Sequence, residues 1–355
     1  MEPVLSRITR DDVAQKARVS SATVSRVYNR PGTVSPEKRD RVLAAAAALG
    51  YEPNRHASSL RRSGTGRITL VEFTKPGRDY YWGNQPLLKW MYADVVRSLL
   101  DEAAGSAYQI QMAGVESVKD LEKISGATDG IIGYDIDTPG EIEMLKTTGL
   151  PCVACHHTAS LPGLPQVSTD NIAGGRLQGK YLKNMGVKRP LYVTGYLNLV
   201  PAHRERLKGF LSVYSRKETH ILGNTAGMEA GKARSGWFCR LLTQGAFDGL
   251  AGVNDLTLLG LLSGSWKRKT PGLEKLPVVG YDNLPVLPVF PFPLATVDLR
   301  LNRIYREAFR LLLDLLRKPN EQPPVSDGVT SAHGNDPRTF ASRVIQPVLR
   351  KPGAV

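Results

Sequence analysis

Cysteine is scarce. The chain has three in 355 residues, a number both small and odd, which excludes a disulfide scaffold and suits a reducing compartment. Also missing is any run of about 18 apolar residues, so no membrane-spanning helix is expected, and the basic, polar N-terminus does not read as a signal peptide. Acidic side chains are outnumbered, 33 Asp+Glu against 47 Lys+Arg, for a formal net charge of +14. The excess is concentrated: residues 1–67 hold 13 basic and 6 acidic side chains, and the other 288 hold 34 and 27. Half of the net charge on under a fifth of the length marks the N-terminal segment as a surface for a polyanion. Neither a G-x-S-x-G elbow, a paired-carboxylate set nor a metal-ligand cluster stands out, so catalysis, a bound metal and a cofactor are not expected.

What is present begins at Thr9. Its hydroxyl, three residues before Asp12, signals a helix start, and Val13 and Ala17 fall one turn apart as a buried stripe. Ser20 signals a second helix running to about Asn29, with Val24, Val27 and Tyr28 inward and Ser21, Ala22, Ser25 and Arg26 outward. A third is capped by Ser35, opened by Pro36 and closed at Gly50, with Val42, Leu43, Ala46 and Leu49 as its apolar face. Three short helices around one small core are the helix-turn-helix plan, whose second helix enters the major groove.

The pattern D-V-A-x-x-A-x-V-S-x-x-T-V-S-R-V-x-N, followed by V-S-x-x-x-R-x-x-V and L-G-Y-x-P-N-x-x-A-x-x-L, resembles the headpiece of the LacI/GalR family of bacterial transcriptional regulators. Arg18 departs from it, standing where the family usually has glycine. The resemblance implies base-reading roles for Ser21, Ala22 and Arg26. Arg26 suits guanine, because a guanidinium can bond to O6 and N7 together. Thr23, Ser25, Asn29 and Arg30 are expected on phosphates, which set register without reading sequence. Pro53 to Arg62 resembles the family's hinge helix, with Leu60 as minor-groove wedge, Ala57 as the small residue beside it, and Asn54, Arg61 and Arg62 at the backbone. The partners implied are a palindromic double-stranded operator and a second copy of the chain, in the cytoplasm, with dimerisation along one flank of both lobes.

From Arg67 short apolar strands alternate with amphipathic helices, which implies parallel α/β layers. An internal repeat sharpens this. Asp129-Gly-Ile-Ile-Gly-Tyr-Asp135 echoes Asp248-Gly-Leu-Ala-Gly-Val-Asn254, and Leu150-Pro-Cys-Val-Ala-Cys-His156 echoes Leu276-Pro-Val-Val-Gly-Tyr-Asp282. Each is a buried strand ending in polar residues. Ligands of open α/β sheets bind beyond the carboxyl ends of strands, so Asp135, His156, Asn254 and Asp282 are placed at one cleft.

The same family implies a fold with an N-terminal all-α helix-turn-helix headpiece (1–52) and a hinge (53–66). An α/β two-lobed, periplasmic-binding-protein-like effector domain (67–355) of two Rossmann-like subdomains follows. The expected lobes are 67–168 with 298–330, and 169–297 with 331–355. Asp170-Asn171-x-x-Gly174-Gly175, Arg204-Glu-Arg206-Leu-Lys-Gly209-Phe210 and Gly280-Tyr-Asp282-Asn283 resemble its motifs. Carried over, Arg206, Asn254 and Asp282 hold a small-molecule effector, a sugar or sugar derivative, with His156 and Asp170 joining them. Arginine, amide and carboxylate together can bracket vicinal hydroxyls or a nucleobase edge. In the first loop Tyr81 and Trp82 replace the family's usual residues and are expected to stack on a ring. The structural alternatives are an interlobe salt bridge for Arg206, a strand-end cap for Asp282 and a packed side chain for His156. The functional alternatives are a regulator answering to a protein co-effector, one responsive to a nucleobase or nucleoside, and an enzyme working through His156 with Asp135.

Two spellings are lures. Cys152-Val-Ala-Cys155-His156 matches a haem-attachment pattern but lies on a strand, where residues three apart face opposite ways. Gly227 to Ala233 resembles a phosphate loop yet reads better as a helix start.

Overall fold

The structure, a computed structural model, describes residues 9–29, 31–49, 51, 64–74, 90–136, 138–155, 163–317, 329–331 and 342–352. The chain divides into two compact units, Met1–Gly64 and Thr65–Val355. Among the described residues no helix is long and apolar enough to cross a membrane.

The first unit holds α1 (Arg10–Ala17), α2 (Ser21–Asn29) and α3 (Pro36–Leu49). At α1 the expected cap forms reciprocally: Thr9 Oγ1 accepts the Asp12 N–H at 3.3 Å and Asp12 Oδ2 accepts the Thr9 N–H at 2.7 Å. Ser20 Oγ accepts the Thr23 N–H at 3.2 Å and so starts α2. Val13, Ala14, Ala17, Val24, Val27, Val42, Ala45 and Ala46 form the small core. Leu43, expected inward, is instead 44% exposed. The inward stripe of α3 is Val42, Ala45, Ala46 and Leu49, spaced by three and four, and Leu43 lies about 100° round from Val42.

Arg18 ends α1 in the left-handed region, with φ 51° and ψ 51°. Arg41 braces this end, its Nη2 donating to the carbonyls of Ala17 at 2.7 Å and Arg18 at 3.1 Å. A side chain in this conformation costs about 1–2 kcal/mol, partly offset because glycine loses more entropy on folding. Arg18→Gly is therefore expected to stabilise the three helices by about 0.5–1 kcal/mol. Hydrogen exchange of the α1–α3 amides in the full chain measures this, and faster exchange would reject the strain.

The second unit contains two sheets. The first comprises β1 (Arg67–Phe73), β2 (Gln109–Val115), β3 (Gly130–Tyr134), β4 (Cys152–Cys155), β5 (Gln166–Thr169), β11 (Val329–Ser331) and β12 (Ser342–Ile345), in the order β11-β12-β5-β4-β3-β1-β2. The second comprises β6 (Pro190–Val193), β7 (His220–Leu222), β8 (Gly249–Gly252), β9 (Val278–Tyr281), β10 (Ala295–Asp298) and β13 (Val348–Arg350), in the order β13-β10-β9-β8-β6-β7. The run β5-β4-β3-β1-β2 recurs strand for strand as β10-β9-β8-β6-β7, which is the internal duplication seen in the sequence. Pairing is parallel except where β11 and β13 join. Around the sheets lie α4 (Trp90–Ala104), α5 (Val118–Ser125), α6 (Pro139–Lys146), α7 (Asn171–Asn184), α8 (Pro201–Leu211), α9 (Met228–Thr243), α10 (Asp255–Lys267) and α11 (Leu301–Arg317).

The chain passes between sheets three times: at Asp170, after Asp298, and at Gln346–Pro347. The last differs from the expected boundary at 330–331, because Ser342–Ile345 pairs in parallel with β5 of the first sheet. What permits a strand carrying Arg343 there is Glu307 on α11, whose Oε2 accepts from Arg343 Nη1 at 3.1 Å with both side chains buried. The connections brace one another. Asp170 N–H donates to the Ile345 carbonyl at 3.1 Å, Gln346 Nε2 donates to Asp170 Oδ2 at 3.4 Å, and Arg350 pairs with Asp298 at 3.0 Å.

Candidate functional site

In the first unit, α2 presents Ala22 and Arg26 to solvent, with Ser21, Thr23 and Ser25 half-buried beside them. Arg26 makes no hydrogen bond or ion pair among the described residues, so its guanidinium is available. Ser21 and Thr23 are already engaged: Ser21 Oγ donates to Asp11 Oδ1, tying α2 to α1, and Thr23 Oγ1 lies 2.9 Å from Ser20 Oγ. The side chain of Asn29, and Arg30, Asn54, Ala57, Leu60, Arg61 and Arg62, lie outside the described residues.

In the second unit, Arg206 comes from α8, a helix opened by Pro201 at its first position. Only 6% exposed, it is held on three sides. Nε donates to Asn171 Oδ1 at 3.0 Å, Nη1 donates to the Val253 carbonyl at 2.6 Å and to Asp282 Oδ1 at 3.4 Å, and the guanidinium lies 3.7 Å above the Tyr281 ring. Its Nη2 has no acceptor among the described residues. An arginine thus fixed offers the two N–H groups of that one remaining nitrogen and not the pair of neighbouring nitrogens that a bidentate fork uses.

Three motifs interlock to build this. Asp170 caps α7, its Oδ1 accepting the Ala173 N–H at 2.8 Å. A Cβ at Gly175 would overlap the Arg206 carbonyl, and one at Gly209 would overlap the Ile172 carbonyl, so glycines on α7 and α8 let the two backbones touch. A Cβ at Gly174 would strike the Tyr281 ring on which Arg206 rests. Asp282 follows β9 with φ 103°, a conformation rare for a residue with a side chain. Asn254 caps α10: its Oδ1 accepts from the N–H and hydroxyl of Thr257 at 2.9 and 2.6 Å. It stands at the exit of β8, beside the Val253 carbonyl that Arg206 grips.

Burial pushes the Asp282 carboxyl up to about 6, and the neighbouring Arg206 restrains that rise. Its folded value lies above the unfolded one, so its contribution to stability is present in full below about 4 and lost as pH rises through 6. Asp282→Asn is expected to remove up to about 3 kcal/mol of that dependence. Urea titrations at pH 4.5 and 7.5 test it; an unchanged slope in the variant would place the dependence elsewhere.

Among the other expected residues, Asp170 is a helix cap and a brace of the crossovers. Asp135 does leave β3 with φ 49°, but it is 1% exposed, buried beside the stacked Tyr134 and Tyr305 rings. Tyr81, Trp82 and His156 lie outside the described residues. Cys152 and Cys155 point to opposite sides of the first sheet, each into a separate apolar cluster, and burial pushes both thiols up, Cys152 to about 11. Gly227 to Ala233 starts a helix, α9. Asn171, Glu205 and Tyr281 carried no individual expectation from the sequence, although all three lie inside the motifs quoted above.

A model described as bacterial regulatory proteins, lacI family, matches residues 9–54, and one described as a periplasmic binding protein-like domain matches 180–332. The ribose operon repressor of Bacillus subtilis (strain 168) is 27% identical over 312 residues, 86% of this chain and 91% of the relative. The sucrose operon repressor of Streptococcus mutans serotype c is 26% identical over 315 residues, again 86% and 91%. Among solved structures, a transcriptional regulator CelR–cellobiose complex aligns with TM-score 0.61 at 24% identity, over 98% of this chain and all of that one. The lac repressor dimer bound to operator and the anti-inducer ONPF aligns with TM-score 0.65 at 20% identity, over 98% and 99%. These two alignments bear on the fold.

Proposed function

This chain belongs to the LacI family of bacterial regulatory proteins, and from that premise we propose that it is a cytoplasmic repressor binding a palindromic operator as a homodimer, released or retained by a sugar or sugar derivative. Members of the family are DNA-binding regulators, not enzymes. Exposed Arg26 on α2 reads guanine, Ser21 and Ala22 flank it, and Thr23, Ser25, Asn29 and Arg30 meet phosphates. Asn54, Ala57, Leu60 and Arg61 are proposed for the minor groove and its backbone.

The observation that carries the effector half is Arg206 Nη2, the one nitrogen of that guanidinium with no acceptor among the described residues, on a side chain paired with Asp282 at the strand exits of the second sheet. A hydroxyl accepting from Nη2 and donating to Asp282 is bonded at both ends by charged groups, the stronger kind of hydrogen bond. Asn254 is the third proposed contact, with Asp135, Asp170, His156, Tyr81 and Trp82 as outer ones. That relatives are named for ribose and sucrose operons supports a carbohydrate.

The test uses palindromes selected from random DNA by the full chain. Arg26→Ala is expected to lose about 1–3 kcal/mol on selected sites with little change on random duplex. Equal losses on both would overturn the base-reading role. D-ribose and sucrose, added in turn, should shift operator affinity and raise the melting temperature of the wild type by mass action. If no monosaccharide or disaccharide does so, the carbohydrate reading fails.

A further inference from the structure

Arg206 can grip a ligand only while its guanidinium plane is fixed, and the group fixing its Nε edge is a single carboxamide. Asn171, 3% exposed at the first position of α7, accepts from Arg206 Nε through Oδ1 at 3.0 Å and donates through Nδ2 to Glu205 Oε2 at 3.2 Å. Turning that amide over would set donor against donor at Arg206 and acceptor against acceptor at Glu205, so the two neighbours dictate its orientation. Glu205 and Arg206 are adjacent in sequence and reach Asn171 from one helix, which makes the three a closed relay. Asn171 also follows Asp170, the residue that binds both the Ile345 carbonyl and Gln346 of the third crossover. The backbone contact of α7 with α8 at Gly175 and Gly209 leaves little slack between them.

We propose that Asn171, oriented by Glu205, is the positioning residue that aims Arg206 at the ligand, and that through it the first crossover is mechanically part of the clamp. Displacing Asp170 and Asn171 as the crossovers rearrange turns the guanidinium; a ligand that holds the guanidinium in turn holds the crossover. The ligand-facing part of this proposal rests on the effector reading given above, while the relay itself does not.

The test exploits the polarity of the relay. The Arg206 Nε–H signal in the full chain is assigned by its loss in Arg206→Lys, and its hydrogen exchange is followed without ligand. Asn171→Ala should speed that exchange by roughly ten- to a hundred-fold, the loss of one hydrogen bond to a charged group. Asn171→Asp sets a second carboxylate against Glu205 and should disturb the signal as well. Adding Glu205→Gln to Asn171→Asp rebuilds the chain with donor and acceptor exchanged and should return slow exchange. A residue that merely fills space gives no such rescue, and folding of each variant is checked by far-ultraviolet circular dichroism. Unchanged exchange in Asn171→Ala, or a double variant no better than Asn171→Asp, overturns the proposal. D-ribose affinity should follow the same order of variants. Absence of ribose binding by the wild type counts against the carbohydrate reading alone, because the exchange pattern decides the relay.

Discussion

Arg206→Ala is expected to destabilise the second unit by about 3–5 kcal/mol at pH 7, the usual consequence of removing one partner of a buried ion pair. It is also expected to abolish the response to effector. The loss is large because four groups are orphaned together. Asp282 keeps a buried carboxylate with no counter-charge, Asn171 Oδ1 and the Val253 carbonyl lose their donor, and the Tyr281 ring loses the cation above it. Asp282 is already pushed up to about 6 with the arginine beside it, and without it the carboxyl moves higher and takes up a proton near neutrality. The sign of the pH dependence follows: the deficit of the variant should shrink as pH falls to 5, since protonation relieves the unpaired charge. Adding Asp282→Asn should recover part of the loss at pH 7 while leaving ligand binding absent. Denaturant titrations of the variants at both pH values measure this; a loss under about 1 kcal/mol would show that the pair is solvated enough to dispense with. Operator binding without effector should survive, because Arg26 and its helix belong to the other unit.

What could be read from the sequence, and what could not, follows from the range of the interactions. Caps are local: Thr9 with Asp12, and Ser20 with Thr23, are three residues apart, and both starts lie where the sequence puts them. The duplication was legible because equivalent buried strands carry equivalent spellings. Leu43 was misread because the run Leu43 to Leu49 is wholly apolar, with no polar residue to mark which side of α3 faces out. Asn171 was missed for another reason. Its motif marks it, but its partners lie 34 and 35 positions away on another helix, and nothing local reveals which donor meets which acceptor. In the same way the glycines at 175 and 209 look like weak helix residues until the opposing carbonyls are seen.

The late third crossover has the same origin, and it leads to the second large effect. Arg343 in a four-residue strand argues against a core strand, unless a carboxylate waits inside. Glu307 does, with both side chains nearly sealed at 4% and 3% exposure. Arg343 Nη2 further reaches Asp314 at 3.4 Å, and Arg310 joins Glu307 at 3.1 Å and Glu102 at 2.8 Å. Arg343→Ala is expected to destabilise the second unit by about 3 kcal/mol, at the lower end for a broken buried pair because Arg310 continues to hold one Glu307 oxygen. Replacing the pair by Arg343→Met with Glu307→Leu should restore most of that stability, since apolar side chains of similar volume bury without desolvating charge. The contrast with Arg206 lies in function. Arg343 sits on the strand leading to the crossover, and the partners it takes there, Glu307 and Asp314, belong to α11 and not to the clamp, so the apolar pair should leave effector affinity at its wild-type value while stability recovers. If affinity falls with the apolar pair in a chain whose unfolding midpoint is restored, the charge network around Glu307 acts on the clamp through β12 and the Ile345–Asp170 bond, and the two sites are coupled.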